Sequence, residues 1–282
     1  MANRQLAAAT ISFALCFAAW GLISAFALTF GEIYQLSASQ TALLVAVPVL
    51  LGSLARLPMG LLTDRFGGRT VFTALLLFSA IPPLLTPMVS SYAMLIAIAF
   101  LLGMAGSSFA VGVGFISPWF PKEKQGAALG VYGLGNAGQS LIVFLGPLMA
   151  ARFGWENVFR GVSALLVTWA MLFVTLAKNA PVTSQRKTVA SMLVVLARER
   201  LAWVLAAFYF LTFGGFVAFS IYLPALLRDN SNSRPPILGF DRQASSCSRP
   251  ECARLVDGSQ TASAAHVCSR SSSLVRHRSR CC

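Results

Sequence analysis

The sequence predicts an all-α membrane protein, a polytopic bundle of transmembrane helices. Apolar residues make up 56% of its 282 residues and charged residues only 11%. A soluble domain carries roughly 25% charged residues, so this composition favours a lipid-facing exterior. The apolar residues also fall into separate long runs, and most cationic residues before residue 228 lie in the connectors between them.

Seven apolar runs are each long enough to cross a hydrocarbon core of roughly 30 Å as a helix. They cover residues 7–30, 41–63, 70–89, 93–117, 127–150, 157–177 and 201–225. The first run resembles a secretory signal, because Arg4 precedes it and Ala25-Phe26-Ala27 follows the pattern of a cleavage site. It exceeds the roughly 7 to 15 apolar residues of a signal peptide, so we predict a retained span.

The connectors are short except for the polar, basic segment 178–200, which we predict to be a cytoplasmic linker. It separates a six-helix transmembrane unit, residues 1–177, from a seventh transmembrane helix at 201–228. Residues 229–282 are rich in Ser, Arg and Cys and contain no run long enough to span. We expect this tail to be disordered and non-native, as an out-of-frame read-through of a longer gene would produce.

Cationic residues alternate between the connectors and predict the orientation of the chain. Ten of them share the side of the N-terminus: Arg4, Arg65, Arg69, Lys122, Lys124, Lys178, Arg186, Lys187, Arg198 and Arg200. The opposite side, through residue 200, carries Arg152 and Arg160. Because cytoplasmic connectors hold the excess of Lys and Arg, we place the N-terminus in the cytoplasm. The expected location is the plasma membrane, or the inner membrane of a Gram-negative cell.

The sequence gives no support for an enzyme or a nucleic-acid-binding protein. No Asp, Glu or His lies in the interior of a predicted span, and the two histidines both lie in the tail. Catalytic sets, metal clusters and phosphate loops are therefore missing, and we predict no cofactor and no metal. The net charge of +13 does not indicate nucleic acid, because nine of the 22 Lys and Arg residues follow residue 227 without interleaved aromatic residues.

Small residues recur at short spacings within the apolar runs. Gly126 and Gly130 are four residues apart, as are Gly103 and Ser107, while Gly130 and Gly133 are three apart. In lipid no hydrophobic effect draws helices together, so such residues commonly mark places where two backbones approach closely. We expect close helix packing at most of these glycines.

Arg56 is the one charge deep inside a predicted span, since Arg160 lies near the start of its own. Arg56 lies eight residues before Asp64, or about 12 Å from the cytoplasmic end of that helix. A guanidinium near the bilayer centre costs about 2.5–3.5 kcal/mol and cannot shed its charge. With no acid at that depth, a bound oxyanion is the natural partner for its planar donor fork. The alternative is a guanidinium paired with backbone carbonyls.

Three other side chains reach a similar depth. Phe109 lies nine residues before Pro118, Asn136 ten residues after Gly126, and Tyr209 eight residues after Leu201. At 1.5 Å per residue these separations are about 12–15 Å. A cation, an amide, a hydroxyl and an aromatic face at one depth make an anion site. Taken singly, Phe109 is more typical of a core residue and Tyr209 of a packing tyrosine.

The span that carries Arg56 has a glycine stripe and ends in a charged turn. Gly52, Arg56, Gly60 and Asp64 follow an i, i+4 pattern on one helix face, where the glycines would let a partner helix approach the arginine. Asp64, Arg65 and Arg69 close the cytoplasmic turn. We interpret these charges as a latch between helices that stabilises one conformation; simple marking of topology is the alternative.

These segments resemble a known family. Gly60-Leu61-Leu62-Thr63-Asp64-Arg65-Phe66-Gly67-Gly68-Arg69 is similar to the loop between helices 2 and 3 of the major facilitator superfamily. More narrowly, Arg56-Leu57-Pro58 and Gly133-Leu134-Gly135-Asn136-Ala137-Gly138 resemble the nitrate/nitrite porter family. Phe109 and Tyr209 also fall where that family keeps an aromatic residue and a tyrosine near the substrate. The resemblance covers about residues 7–228.

The resemblance implies twelve helices in two pseudo-symmetric halves, alternating access and a central oxyanion site. It implies that Arg56, Phe109, Gly135, Asn136 and Tyr209 contact or shape a site for nitrate or nitrite. It also implies a conformational latch formed by Gly60, Asp64, Arg65, Gly67 and Arg69. The family uses one arginine from each half, and only the first is matched here. We therefore expect a C-terminally truncated porter with about seven of twelve helices.

The predicted activity is exchange of nitrate for nitrite across the bilayer, which fits the lack of interior acids better than proton symport does. The expected partners are these two anions and lipid, and the expected state is a monomer. Two alternatives remain: another facilitator that carries small solutes, and a non-transporting membrane fragment from a frameshifted gene. In a transport assay, competition by nitrate but not by organic anions would argue against the first alternative. The reading frames in the DNA downstream of residue 229 would test the second.

Overall fold

The computed structural model of the protein describes residues 1–180 and 199–230. All regular secondary structure in these ranges is helical, which confirms the predicted fold class. Six helical segments are long and apolar enough to cross a membrane, and we number them spans 1 to 6. They are Ala2–Ala25, Ala38–Phe66, Gly68–Met88, Tyr92–Trp119, Lys122–Phe153 and Trp155–Leu176.

The seventh predicted span lies in the helix Arg200–Asn230, whose described apolar stretch is Arg200–Gly215. Most of the predicted linker, at residues 181–198, and of the predicted tail, at residues 231–282, lies outside the described residues. The chain divides into two units, Met1–Ile221 and Tyr222–Cys282. The second unit is described only as far as Asn230, where it is helical.

The first predicted span, 7–30, differs from the structure at both ends. Span 1 begins at Ala2, and the helix stops at Ala25 before a separate short helix, Ala27–Ile33. The interruption lies at Phe26, where φ is −108° and ψ is 13°. Tyr34 follows the short helix, and its hydroxyl donates to the carbonyl of Val89 at 2.9 Å, which ties the end of this segment to the end of span 3.

Three spans contain interruptions that coincide with proline or glycine. Span 2 consists of helices Ala38–Leu54 and Arg56–Phe66, because Pro58 has no N–H to donate to the carbonyl of Leu54. Span 4 changes to a 3₁₀ helix at Gly103–Ser107 between helices Tyr92–Leu102 and Ser108–Ile116. A further 3₁₀ turn ends span 4 at Ser117–Trp119.

Span 5 is interrupted at Leu134–Asn136, between helices Lys122–Gly133 and Ala137–Phe153. Span 3 is the helix Gly68–Leu85 followed by the 3₁₀ turn Thr86–Met88, and span 6 is one continuous helix. The interruptions in spans 2 and 5 each lie next to a predicted site residue. Arg56 begins the second helix of span 2, and Asn136 ends the 3₁₀ turn of span 5.

Span 1 is the centre of the six-span bundle. Two-thirds (67%) of its most apolar window is buried, against 33% for spans 2, 5 and 6. It packs most extensively against span 5 and also against spans 4 and 6, while span 3 packs mainly on span 6. Phenylalanine rings fill much of the interior: Phe13, Phe17, Phe26, Phe30, Phe72, Phe159 and Phe173 are almost fully buried.

Polar side chains connect the spans inside this apolar interior. The indole N–H of Trp169 in span 6 donates to the hydroxyl of Ser12 in span 1 at 2.8 Å. Ser163 in span 6 donates to the carbonyl of Ala80 in span 3 at 2.7 Å. Each bond satisfies a polar group that would otherwise be stranded in hydrocarbon, so these contacts fix the packing of spans 1, 3 and 6.

The glycine predictions were right for one group and wrong for another. Gly52 and Gly103 bring spans 2 and 4 together, since a Cβ on Gly52 would lie 2.9 Å from the carbonyl oxygen of Gly103. By contrast, a Cβ placed on Gly60 would meet nothing within 4 Å, and the same holds for Gly126, Gly130 and Gly133. The spacing rule failed there because these residues face away from the other described helices.

Candidate functional site

Arg56 lies at the interruption of span 2, where the second helix of that span begins. Its side chain is half-buried. The helix continues to Phe66, so Asp64 lies two turns further on, about 12 Å along the axis. No ion pair links Arg56 to an acid within the described residues.

Two aromatic side chains of the helix Arg200–Asn230 hold the guanidinium of Arg56. Its Nη1 donates to the hydroxyl of Tyr209 at 3.2 Å. The guanidinium carbon lies 4.9 Å from the ring centre of Phe213 and 5.8 Å from that of Tyr209. These are cation–π distances, so the rings stabilise the charge without neutralising it. The Nε of Arg56 is buried and has no hydrogen-bond partner within the described chain.

The aromatic residues extend from Arg56 into the bundle as a stacked column. Phe213 stacks on Tyr209 with ring centres 5.2 Å apart, and Tyr209 stacks on Phe109 at 6.2 Å. Phe109 in turn faces Tyr132 at 5.9 Å, and Tyr132 stacks on Phe13 at 4.7 Å. The column joins spans 1, 4 and 5 to the helix that carries Tyr209.

The structure therefore brings together three of the predicted site residues, Arg56, Phe109 and Tyr209. It adds Phe213, Tyr132 and Phe13, which the sequence reasoning did not select. Phe213 had a detectable signal, because it lies four residues after Tyr209 and so shares its helix face. Tyr132 and Phe13 had none, because their approach to Phe109 depends on how separate spans pack.

Tyr132 is fully buried and its ring packs against that of Phe109. Its hydroxyl donates to the carbonyl of Ser108 at 2.8 Å, which fixes the ring against the start of the second helix of span 4. Gly112 makes room for it, because a Cβ on Gly112 would overlap the Tyr132 hydroxyl. The position of Phe109 is thus determined by contacts from spans 1 and 5.

Asn136 and Gly135 are placed differently from Arg56. The amide nitrogen of Asn136 donates to the carbonyl of Gly133 within its own turn at 2.9 Å. Its Oδ1 is buried without a hydrogen-bond partner among the described residues. Gly135 is buried against span 1, and a Cβ there would overlap the ring of Phe13. Gly135 therefore packs against Phe13, one member of the aromatic column. No described contact joins Asn136 to Arg56.

The charged turn after span 2 contacts the end of span 6. Gly67 has a φ of +84°, which favours glycine, and a Cβ there would crowd the side-chain amide of Asn179. The backbone N–H of Arg69 donates to Asn179 Oδ1 at 2.9 Å, and its guanidinium donates to the carbonyl of Val174 at 2.7 Å. Arg65 is exposed and lies over the ring of Phe66, 5.3 Å from its centre.

The contacts at this turn use amide and carbonyl groups. Asp64 is exposed, and within the described part of the chain it forms no ion pair with Arg65 or Arg69. Gly60, the first residue of the motif, faces open space. The same ranges contain no group of three His, Cys, Asp or Glu side chains that could hold a metal ion.

Residues 8–238 match the family model described as the Major Facilitator Superfamily. The chain belongs to this superfamily. Solved superfamily members have the same fold. A bacterial homologue of the human lysosomal transporter Spinster superposes with a TM-score of 0.61 at 19% identity, covering 81% of this chain and 54% of that one. The xylose transporter XylE of E. coli superposes with a TM-score of 0.54 at 17% identity, covering 72% and 54%.

Curated relatives within the superfamily are more similar in sequence. The "Nitrite extrusion protein" of Bacillus subtilis is 36% identical over 243 residues, which is 85% of this chain and 61% of that protein. The "Probable nitrate/nitrite antiporter NarK1" of Thermus thermophilus is 38% identical over 235 residues, or 78% and 53%. The facilitator chain described here thus spans between half and two-thirds of the length of these relatives.

Proposed function

We propose that this facilitator chain belongs to a transmembrane carrier of nitrate and nitrite, in which Arg56 holds the anion. The observation that carries the proposal is the state of the Arg56 guanidinium. It lies inside span 2, it is held by a hydroxyl and an aromatic face, and its Nε has no hydrogen-bond partner among the described residues. The names of the curated relatives supply the choice of anion.

The geometry suits a small, planar oxyanion. Nitrate and nitrite each offer two oxygens in one plane, which match two parallel N–H groups of a guanidinium. Tyr209 orients Nη1, so Nε and the second terminal nitrogen remain to donate to the anion. Phe109 and Phe213 flank Tyr209 and shape the apolar walls of the site. In this proposal Asn136 makes a second polar contact to the site, and the tight turn at Gly135 lets the helices approach closely.

Exchange of the two anions by alternating access is the proposed mode. Within the described spans the acids Asp64, Glu123 and Glu156 all lie within two residues of a span end. A proton carrier at the depth of Arg56 is therefore not supplied by these spans, whereas anion exchange balances charge without one. The turn from Gly60 to Arg69 is the proposed latch, in which Gly67 and Arg69 dock on Asn179 and Val174.

The proposed setting is a cell membrane, with the N-terminus in the cytoplasm and the chain as a monomer. The cationic connectors support this orientation. Counting the spans along the chain puts five cationic residues on the same side as the N-terminus: Arg4, Arg65, Arg69, Lys122 and Lys124. The wider activity, that of a full carrier with two halves, is inferred from relatives of which this chain covers 61% or less.

Replacement of Arg56 by Lys tests the anion site. Lysine keeps the charge but loses the planar fork, so we expect nitrate to bind about tenfold or more weakly. The measurement is isothermal titration of nitrate and nitrite into the purified chain, with an organic anion such as lactate as competitor. Arg152→Lys is the matched control, because Arg152 also lies over an aromatic ring, that of Phe153 at 5.8 Å, but at the end of span 5.

Unchanged nitrate affinity in Arg56→Lys would refute the anion role of Arg56. Equal competition by the organic anion would favour a different facilitator substrate. The exchange mode has its own test in proteoliposomes. Labelled nitrate should enter vesicles loaded with nitrite faster than empty ones, whereas uptake driven by a proton gradient into empty vesicles would contradict exchange.

A further inference from the structure

An apolar groove runs along the outside of the bundle where spans 2, 3 and 4 meet. Its volume is about 370 Å³. Three buried side chains form its floor: Met59, Val71 and Leu75. Exposed and half-buried side chains form its edges: Leu62, Phe66, Thr70, Ala74, Phe78 and Met104. Because all of these except Thr70 are apolar, the groove is a surface for hydrocarbon rather than for a polar solute.

The length of the groove compares with the depth of one membrane leaflet. Phe66 and Thr70 lie beside Gly67, where the turn joins spans 2 and 3. Phe78 lies eight residues after Thr70 on the helix of span 3, or about 12 Å further along its axis. One leaflet is about 15 Å deep, half of a hydrocarbon core of roughly 30 Å. The groove thus follows most of one leaflet, as an acyl chain does.

The groove is too narrow to hold a helix. A volume of about 370 Å³ along about 12 Å gives a cross-section of about 30 Å². A helix with its side chains is about 10–12 Å across, so its cross-section is more than twice as large. A single hydrocarbon chain is the occupant that this width admits.

A cationic side chain lies at the end of the groove nearest the membrane surface. The guanidinium carbon of Arg65 is 5.3 Å from the ring centre of Phe66, which is itself part of the groove. Arg65 is exposed, and among the described residues it forms no ion pair. The guanidinium of nearby Arg69 is instead bonded to the carbonyl of Val174. Arg65 is therefore the cation of this turn that an anion at the groove would meet.

Asp64, the acid of the same turn, lies on another face of the helix. It is two residues from both Leu62 and Phe66, which is about 200° around the helix axis. Its carboxylate is therefore on the side opposite the groove, where it does not repel an anion held beside Phe66. The arrangement combines an apolar channel with a positive charge at one end.

We propose that this groove binds one acyl chain of an anionic phospholipid whose phosphate pairs with Arg65. The acyl chain lies on the floor of the groove, and the guanidinium donates to the phosphate oxygens. The hydroxyl of Thr70 is a further donor at the same end. In the orientation proposed above, the lipid belongs to the cytoplasmic leaflet, which holds the anionic lipids. The proposal does not depend on which solute the carrier binds.

Photolabelling of the full chain in phosphatidylcholine nanodiscs tests the proposal. One sample contains trace phosphatidylglycerol with a diazirine midway along one acyl chain, and the other contains phosphatidylcholine with the same modified chain. Labelled residues are identified by mass spectrometry. We expect phosphatidylglycerol to label the groove about fivefold more, which is the factor that one cationic residue near the surface contributes.

The headgroup contact is tested by Arg65→Gln, which should remove the preference for phosphatidylglycerol. Arg152→Gln is the matched control, because Arg152 also lies over a neighbouring ring, that of Phe153, but at the end of span 5. It should keep the preference. Equal labelling of the groove by the two lipids in the unaltered chain would overturn the anionic headgroup.

The acyl-chain contact is tested by Ala74→Trp, which fills the groove from span 3. Labelling of Met59 and Leu75 on the floor should then be lost for both lipids. Ala97→Trp is the control, because Ala97 is exposed on span 4 outside the groove, and it should leave this labelling unchanged. Thermal unfolding shows whether the variants are folded. Undiminished labelling in folded Ala74→Trp would overturn the site, as would a floor that neither lipid labels in the unaltered chain, which would mean that protein covers it.

Discussion

The contacts of Arg56 inside span 2 divide into those that orient the side chain and those that stabilise its charge. Burial of a guanidinium at that depth costs about 2.5–3.5 kcal/mol. The ring faces of Tyr209 and Phe213 return about 0.5–2 kcal/mol through cation–π contact. The Tyr209 hydroxyl fixes Nη1. Because these contacts do not neutralise the charge, Arg56 retains its attraction for an anion.

Tyr209→Phe isolates the orienting contact, because it removes the hydroxyl and keeps the ring stacked between Phe109 and Phe213. We expect nitrate affinity to fall about tenfold, as for the loss of one hydrogen bond to a charged group. Calorimetric titration measures the change. The matched control is Tyr92→Phe, which removes a hydroxyl bonded to the carbonyl of Gln40 and should leave affinity unchanged. Equal losses in both variants would show that the effect comes from general destabilisation.

At the scale of the helices, glycines act only where another span is present to use the space. Gly138 is buried against span 1, where a Cβ would overlap the carbonyl oxygen of Ala14. Gly130 lies in the same span, is exposed and has nothing within 4 Å of its Cβ position. Their spacing in the sequence predicts a packing role for both glycines, whereas in the structure only Gly138 packs against another span.

Alanine substitution of these two glycines should therefore have opposite effects on stability. Gly138→Ala overpacks the contact between spans 1 and 5 and should lower the free energy of unfolding by about 1–3 kcal/mol. Gly130→Ala should raise it by up to about 1 kcal/mol, because alanine is the better helix former. Thermal unfolding of the two variants in the same detergent measures the difference. A destabilised Gly130→Ala would mean that another surface covers this face.

For the whole molecule, the connector charges predict the direction in which the bundle crosses the membrane. From them we expect the turn between spans 3 and 4 outside the cell and the turn between spans 4 and 5 inside. Ser90 and Glu123 mark these two turns, and both are exposed. Neither contributes to the excess of cationic residues, so each can be replaced without altering it.

Single-cysteine variants should report this orientation. With the native cysteines replaced by serine, Ser90→Cys should react with a membrane-impermeant maleimide in intact cells. Glu123→Cys should react only after permeabilisation, because we place it in the cytoplasm. Mass shift of the labelled chain on a gel is the readout. Labelling in the reverse order would overturn the proposed orientation, and labelling of both in intact cells would indicate lysed cells or a mixed topology.

The class of the protein, the order of its spans and the position of Arg56 inside one of them can be read from the sequence alone. These follow from patterns along the chain. In lipid, the backbone N–H and C=O groups must form their hydrogen bonds within apolar helices, so each span is a long apolar run and a single charge within one is easily seen. The interruption of span 2 also has a local signal, because Pro58 cannot donate to the carbonyl of Leu54, but we did not predict it. Depth and the family resemblance predict Phe109 and Tyr209, and the structure places the two rings in contact and Tyr209 on Arg56.

Which faces of these helices meet depends on the tertiary structure. Phe13, Tyr132 and Phe213 join the aromatic column, and Gly60 and Gly130 face open space. Each outcome depends on the rotation and crossing of spans that are far apart in sequence. Those angles result from the packing of many side chains at once, so no local spacing encodes them.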